Sequence, residues 1–494
     1  MTAALERGIA AAKSGRSAEA IALLDEAAAA AERAGDTATA ADALDWQGWL
    51  AWVELDGALA RKAASALLRL NLPKTSREAF RVYIGQATAT LQAGDARRAA
   101  QLLEEAENAG ELADIDAFAA YLMLKGDVSA ALGEHENSVH HLQLAVEISR
   151  KRRDPYALWR QLLYYGYALQ SAGRVRAAMA THEEALAIAT ERSFTWEKTL
   201  SHSRAALGAY TLGDMTRARE HLRAAFAAPE AHRWAYVQRS FTGLAVAVAT
   251  GDDELLALSF DEDVPRIAFE SADAYTIGYT AAAYHAYYRR AEREEDADRL
   301  LNQAIERLPS PDCGWGLIEA VAEYGSPEQI ERANALLATF PKTHPLAAAY
   351  RALFDARIAL RRGDRADCER RAGEAQAFFE HNEWLYMAAR AAELGGRLGD
   401  AKSRYSAMGA GAEARRLTGL RARPGRPRGG YESSQQRRRI VELIATGATN
   451  RTIAEHLGVS SRTVKYRISE LYAAEGVGSR DELLAVIRSG KIAT

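Results

Sequence analysis

The strongest constraint on this chain is a turn that keeps returning. Gly94, Gly133, Gly173, Gly213 and Gly251 each sit in a Gly-polar break between two apolar, helix-like segments, at spacings of 39, 40, 40 and 38 residues. The stretches read AGDARRAAQLLEEA, LGEHENSVHHLQLA, AGRVRAAMATHEEA, LGDMTRAREHLRAA and TGDDELLALSF. SGRSAEAIALLDEA places an earlier copy at Gly15, two periods before Gly94, and RGDRADCERRAGEA a later one at Gly363. Such regularity marks one supersecondary unit used many times.

Each unit reads as a helical hairpin. Glycine tolerates the positive φ that ends a first helix. A small residue five positions on (Ala20, Ala99, Ala178, Ala218) lets two helices approach closely, and Leu103 with Ala106, or Leu222 with Ala225, extend that face. One hairpin cannot bury its own apolar side, but a stack of them can, which predicts an all-α solenoid. At 494 residues the chain is too long for one ordinary core, and the repeat answers that.

The pattern resembles tetratricopeptide repeats, with a longer period, and about ten units fit residues 1–418. The copies around 255–345 depart furthest from it. In that family the first helix of each unit lines the concave face. The resemblance therefore implies an effector groove at Arg160, Leu163, Tyr167, Gln170, Leu207 and Tyr210, open to a peptide, a small molecule or a partner protein. The run YTIGYTAAAYHAYYRR carries Tyr275, Tyr279, Tyr284, Tyr287 and Tyr288, which we read as wedges between helices with their hydroxyls at the rim.

Bulk properties exclude several classes. No apolar run approaches 20 residues, so no membrane span is expected, and the start MTAALERGIAAAKSGRSAEA has no signal-peptide pattern. Two cysteines, Cys313 and Cys368, give neither a disulfide framework nor a zinc spacing, which fits a cytoplasmic protein. THEEAL (His182, Glu183, Glu184) and VHHLQ (His140, His141) are the nearest approaches to a catalytic or metal cluster, and neither has the i, i+4 pairing of a helical zinc site. We expect no enzyme, no metal and no cofactor. Charge is uneven: residues 421–494 hold 14 Lys plus Arg against 7 Asp plus Glu, leaving 49 against 59 in residues 1–420. A basic module on an acidic body suggests a polyanionic partner.

That module has short capped helices. Ser434 opens the first, with Ile440, Val441 and Ile444 inward and Gly447 as terminator. Thr449 or Asn450 caps the second, with Ile453, Ala454 and Leu457 inward. Ser460 caps the third, whose Val464, Ile468 and Leu471 form one buried stripe. Ser479 and Glu482 have capping-box spacing before the fourth. Two short helices joined at Gly458 make a helix-turn-helix, and the outward face of the third helix carries Ser461, Arg462, Lys465, Tyr466 and Ser469 as donors for base edges and phosphates.

NRTIAEHL, VSSRTVKYRI, GVGSRDELL and IVELIATG strongly resemble the LuxR-type helix-turn-helix domain of bacterial regulators. The resemblance implies a recognition helix from Ser461 in the major groove, with Thr463, Lys465, Tyr466 and Ser469 facing DNA. It also implies Thr449, Asn450 and Arg451 near phosphate, and pairing of two copies through Leu483, Leu484 and Ile487. Ser433-Ser434, Arg437, Arg439 and Glu475 depart from the family pattern. With the repeats, the whole resembles large MalT-like regulators, but no GxxxxGK[ST] of an ATP-dependent switch is found.

Between body and module, RARPGRPRGG forbids a continuous helix, so residues 419–432 read as a linker. Arg423, Arg426 and Arg428 are auxiliary DNA contacts, either as a plain basic linker or as a PGRPR core resembling minor-groove hooks. The expectation is a tetratricopeptide-like solenoid over 1–418 and a four-helix LuxR-type domain over 433–494. Its function would be a cytoplasmic transcriptional regulator that binds double-stranded DNA as a homodimer, with RNA polymerase as a further partner. The rival reading is a protein-interaction scaffold with weak, non-specific nucleic-acid binding. A resemblance to the DNA-binding region of extracytoplasmic sigma factors ranks below both.

Overall fold

The computed structural model describes residues 3–70, 77–92, 95–109, 115–228, 232–271, 273–308, 314–339, 344, 346–421, 439–457, 464, 467–468, 471–472 and 477–488. By its internal packing the chain divides into two units. One comprises Met1–Ala322 and Ser326–Ala422; the other comprises Arg423–Thr494 with Glu323–Gly325.

In the first unit the turn at Gly213 shows why the sequence repeats as it does. Gly213 adopts φ 80°, its N–H meets the carbonyl of Tyr210 at 3.1 Å, and the N–H of Asp214 reaches Ala209 at 2.8 Å. The Asp214 carboxylate then accepts from the Arg217 N–H at 3.0 Å. Glycine thus closes one helix and aspartate opens the next. Gly15, Gly133, Gly173, Gly251 and Gly363 have the same positive φ.

The helices follow in pairs: α1 (Ala3–Lys13) with α2 (Ser17–Ala34), α3 (Thr37–Val53) with α4 (Gly57–Arg69), α5 (Arg77–Gln92) with α6 (Ala96–Ala109). Next come α7 (Ile115–Ala131) with α8 (His135–Arg152), α9 (Pro155–Ser171) with α10 (Val175–Glu191), and α11 (Thr195–Leu212) with α12 (Met215–Ala227). Then follow α13 (Arg233–Thr250) with α14 (Asp253–Ser259), an inserted α15 (Asp263–Glu270), and α16 (Ala274–Arg290) with α17 (Glu294–Ile305). The series ends with α18 (Trp315–Tyr324) and α19 (Pro327–Ala338), α20 (Ala347–Arg362) and α21 (Arg365–His381), α22 (Leu385–Leu394) and α23 (Leu398–Ala407), and α24 (Gly411–Arg421). The body is an all-α helical-repeat solenoid.

Two hairpins lack the glycine signal. Leu55 turns α3 into α4 at φ 52°, and Glu292 turns α16 into α17 at φ 60°. Leu55 stands one period after Gly15, so the repeat is intact there although its glycine is gone. The irregular stretch after Gly251 arises because α14 is cut to seven residues and α15 is inserted.

Packing follows the small residues. Ala20, Ala99, Ala178 and Ala218 are fully or almost fully buried, as are Leu103, Ala106, Leu222 and Ala225. Glycines on the first helices take the other side of the contact: Gly126 faces Leu142 and Gly166 faces the ring of His182. The tyrosine run is mostly packing too. Tyr275, Tyr284 and Tyr288 are buried, and the Tyr284 hydroxyl donates to the Asp261 carbonyl at 2.8 Å.

Hairpins distant in sequence also meet. At one end of α9, α11 and α13, Trp52 packs on Trp234 with centroids 3.9 Å apart, Trp49 lies 5.8 Å from Trp196, and Glu54 pairs with His232. At the other end, the indole of Trp384 donates to the Gly173 carbonyl at 3.2 Å and the Met215 N–H to the Met408 carbonyl at 3.2 Å. Tyr210 packs on Tyr386 with tilted rings, centroids 4.5 Å apart, and Arg290 bonds Glu413 at 2.7 Å. Other repeats therefore grip α11 at both ends, α13 at its start and α9 at its close.

In the second unit the described residues form helices at 439–445, Asn450–Leu457 and Arg480–Arg488, with Val464, Ile468 and Leu471 helical as well. Ile440, Val441, Ile444, Ile453, Ala454, Val464, Ile468, Leu471, Leu483 and Ile487 close one core. This is the C-terminal helix-turn-helix domain.

A Cβ on Gly126 would lie 2.5 Å from Leu142 Cγ. Glycine to alanine inside a helix ordinarily stabilises by about 0.5–1 kcal/mol; Gly126→Ala should instead destabilise by roughly 1–3 kcal/mol through overpacking. Urea denaturation measures it, with Leu142→Ala in a double-mutant cycle to expose the clash as non-additivity. A raised midpoint for Gly126→Ala would refute the close approach.

Candidate functional site

The structure does not gather the six expected groove residues into one open surface. Leu163 and Leu207 are buried in the helical core. Tyr210 is covered by the C-terminal hairpins, where it joins Met408 and Leu398 against a core that includes Tyr386. Repeats far along the chain cover the end of α11, and no local pattern around Tyr210 could have signalled that.

Arg160, Tyr167 and Gln170 remain on the inner side. Arg160 Nε has no hydrogen-bond partner, and its guanidinium lies within electrostatic reach of Asp45 on α3 and Asp127 on α7. Burial pushes Asp127 well above the carboxylate range, against the opposing pull of Arg160. Asp45 itself is exposed to solvent. Tyr164, Tyr167, Trp234 and Tyr275 surround the neighbouring Arg204, whose guanidinium stands 5.4 Å from the Tyr167 ring and 4.9 Å from Tyr275. Tyr167 and Gln170 line a small cavity with Ser171, Tyr279, Trp315, Leu346 and Trp384. Gln170 is 5% exposed and its Oε1 has no partner.

The sequence clusters around histidine resolve differently. His182 is fully buried beneath Gly166; burial, then the charge of Arg204, pushes its pKa down to about 3. Glu183 pairs with Arg217, and Glu184 with Arg150 at 2.6 Å, each tie reaching a neighbouring hairpin. Among the described residues no three His, Cys, Asp or Glu side chains converge to hold a metal ion, and no helix is long and apolar enough to cross a membrane.

In the helix-turn-helix domain, Ser461, Arg462, Thr463, Lys465, Tyr466 and Ser469 lie outside the described residues, as do Arg423, Arg426 and Arg428 in the linker. Thr449 caps the second helix, its Oγ1 accepting from the Thr452 N–H at 3.2 Å. Arg451 is exposed. Arg480 donates to Asn450 Oδ1 at 2.8 Å and to the Ala448 carbonyl. Arg439 pairs with Glu442 at 2.7 Å, which gives this departure from the family pattern a local charge partner.

At the last helix the Ser479 hydroxyl accepts from the Glu482 N–H at 3.2 Å, while Glu482 accepts from Gly478 at 2.7 Å, one residue before the cap. Leu483 and Ile487 are buried in the domain's own core, and Leu484 packs part-buried against it.

Residues 431–479 match the family described as a homeodomain-like domain. No curated protein matches the chain. Among solved structures the chain is similar to a Rap protein complexed with competence and sporulation factor, at 12% identity, covering 85% of this chain and 96% of that one, with a TM-score of 0.38. It is also similar to the apo form of RapI (12% identity, 79% and 96% covered, TM-score 0.37) and to an IFIT1 monomeric mutant with Gppp-AAAA (15%, 86% and 97%, 0.32).

Glu197 on α11 is 1% exposed, neither of its carboxylate oxygens has a hydrogen-bond partner, and burial pushes it up to about 7. It binds its proton more tightly folded than unfolded. Its contribution is thus complete below about 4.5 and is lost as pH rises through about 7. Stability should fall by on the order of 3 kcal/mol between about pH 5 and pH 8.5 from this group. Glu197→Gln should flatten that part of the Tm-versus-pH curve. An unchanged curve would mean Glu197 is ionised in the fold.

Proposed function

We propose that this protein is a DNA-binding transcriptional regulator whose repeat body receives an effector and whose C-terminal domain binds double-stranded DNA. The observation that carries the reading is the match of residues 431–479 to a homeodomain-like domain, on a closed core of short helices. The basic balance of residues 421–494 supports it, since phosphate attraction supplies most of the sequence-independent affinity.

The finer assignment is a LuxR-type domain in a MalT-like arrangement, on the motifs NRTIAEHL, VSSRTVKYRI and GVGSRDELL. On it, Ser461, Arg462, Thr463, Lys465, Tyr466 and Ser469 read base edges and phosphates in the major groove, and two copies sit on two half-sites. With Leu483 and Ile487 committed to the core, pairing falls to Leu484 and its exposed neighbours. The effector is a peptide, small molecule or protein held on the inner side near Arg160, Tyr167 and Gln170, and contact with RNA polymerase transmits the response. The chain has no catalytic role in this reading.

Binding to DNA from its own promoter regions should exceed binding to random duplex by at least ~4 kcal/mol. Equal binding to both would favour the scaffold reading. Lys465→Ala and Tyr466→Ala should each abolish the specific component while circular dichroism stays unchanged; specific binding that survives in both would remove them from the reading face.

Deleting residues 421–430 should lower affinity and flatten its dependence on salt. The log–log slope should fall by about 0.9 for each phosphate that the segment no longer neutralises. A deletion without effect on either would make the segment a hinge only.

A further inference from the structure

Arg480 stands outside the recognition helix, yet its side chain ties the last helix to the start of the second. Its Nη1 donates to Asn450 Oδ1 at 2.8 Å, and its Nη2 donates to the Ala448 carbonyl, two residues earlier. A guanidinium has donors only. The amide atom facing it must therefore be the oxygen, and the orientation of the Asn450 side chain follows from chemistry alone. With Oδ1 turned to Arg480, Nδ2 lies on the other branch of the amide, and its two N–H donors have no hydrogen bond among the described residues. Asn450 is part-exposed and is followed by exposed Arg451.

Asn450 is the first residue of the helix Asn450–Leu457, and Thr449 already satisfies the Thr452 N–H. The cap is thus supplied by Thr449, and Asn450 is not needed for it. Holding Asn450 by its oxygen while also gripping the Ala448 carbonyl fixes both the side chain and the backbone that leads into the helix. Lysine has three donors on one compact ammonium but no rigid planar fork to fix the two acceptors relative to each other.

We infer that Arg480 is a positioning residue for DNA binding: it orients the Asn450 amide so that Nδ2 donates to a backbone phosphate. This rests on the DNA-binding reading above. Two consequences separate it from Arg480 acting as a phosphate contact itself. An amide carries no charge, so losing its hydrogen bond lowers affinity without changing the number of counterions released. A residue that works only through Asn450 should add nothing once Asn450 is gone.

The test uses the full chain and a fluorescein-labelled duplex of random sequence, titrated by anisotropy across a range of salt. Asn450→Ala and Arg480→Met should each weaken binding roughly tenfold, the loss of one hydrogen bond to a charged group. The double variant should lose no more than the larger single, with the salt slope unchanged throughout. Asn450→Asp keeps and strengthens the tie to Arg480, so its melting temperature should hold or rise. It should nevertheless bind more weakly than Asn450→Ala, most of all at low salt, because an oxygen now faces the phosphate. Additive losses in the double variant, a slope reduced by about 0.9 in Arg480→Met alone, or wild-type affinity in a stably folded Asn450→Asp would each overturn the inference. A wild-type protein that fails to bind the duplex at low salt would overturn the DNA-binding reading as well.

Discussion

The distance at which the two helices of each hairpin cross governs everything else in the repeat body. Ala20, Ala99, Ala178 and Ala218 on the second helices, with Gly126 and Gly166 on the first, remove the side chains that would hold the helices apart. In a solenoid each hairpin takes its orientation from its neighbour, so an error in one crossing is carried to every later unit. The meetings of distant hairpins show how small that error is. The pairs Trp52–Trp234 and Trp384–Gly173 span 182 and 211 residues of sequence and still lie at van der Waals or hydrogen-bond distance. They form only if every intervening crossing keeps its spacing.

Closing the solenoid on itself changes the chemistry of its inner side. A single open row of hairpins would leave the Asp127 carboxyl in water, with ordinary titration. Holding α9, α11 and α13 by distant hairpins encloses that side, and the raised carboxyl of part-buried Asp127 is an electrostatic result. A ligand that lodged there would touch several repeats at once and would bear on the crossings between them.

Much of this was legible in the sequence, and the failures have physical reasons. The alanine positions, the hairpin turns at glycine and the Val464, Ile468, Leu471 stripe follow from periodicity, because local packing and local sequence share one period. Leu55 and Glu292 were invisible because a turn can be forced into positive φ without glycine when the flanking helices are well packed. The covering of Tyr210 by Tyr386 was invisible for a different reason: it depends on the summed pitch of many hairpins, which no single one encodes. Leu483 and Ile487 show a third limit. An apolar i, i+4 pair on a short helix suits a core and an interface equally, and only the completed core of the domain assigns it.

That last assignment bears on how two copies would meet. The C-terminal unit is small, and its closed core is built from few side chains, so Leu483 and Ile487 cannot be released to a partner without unfolding it. What remains on the last helix is part-buried Leu484 and Val486 with exposed Ala485, flanked by exposed Asp481, Glu482 and Arg488. One turn of helix with three small or medium apolar side chains is a narrow surface beside the roughly 1,200 Å² of a stable interface. On the regulator reading, association through this helix would be weak in free solution and would become effective only where adjacent half-sites hold two domains at high local concentration. Cooperativity would then reside in the spacing of the DNA sites, and the protein surface would only have to avoid opposing it.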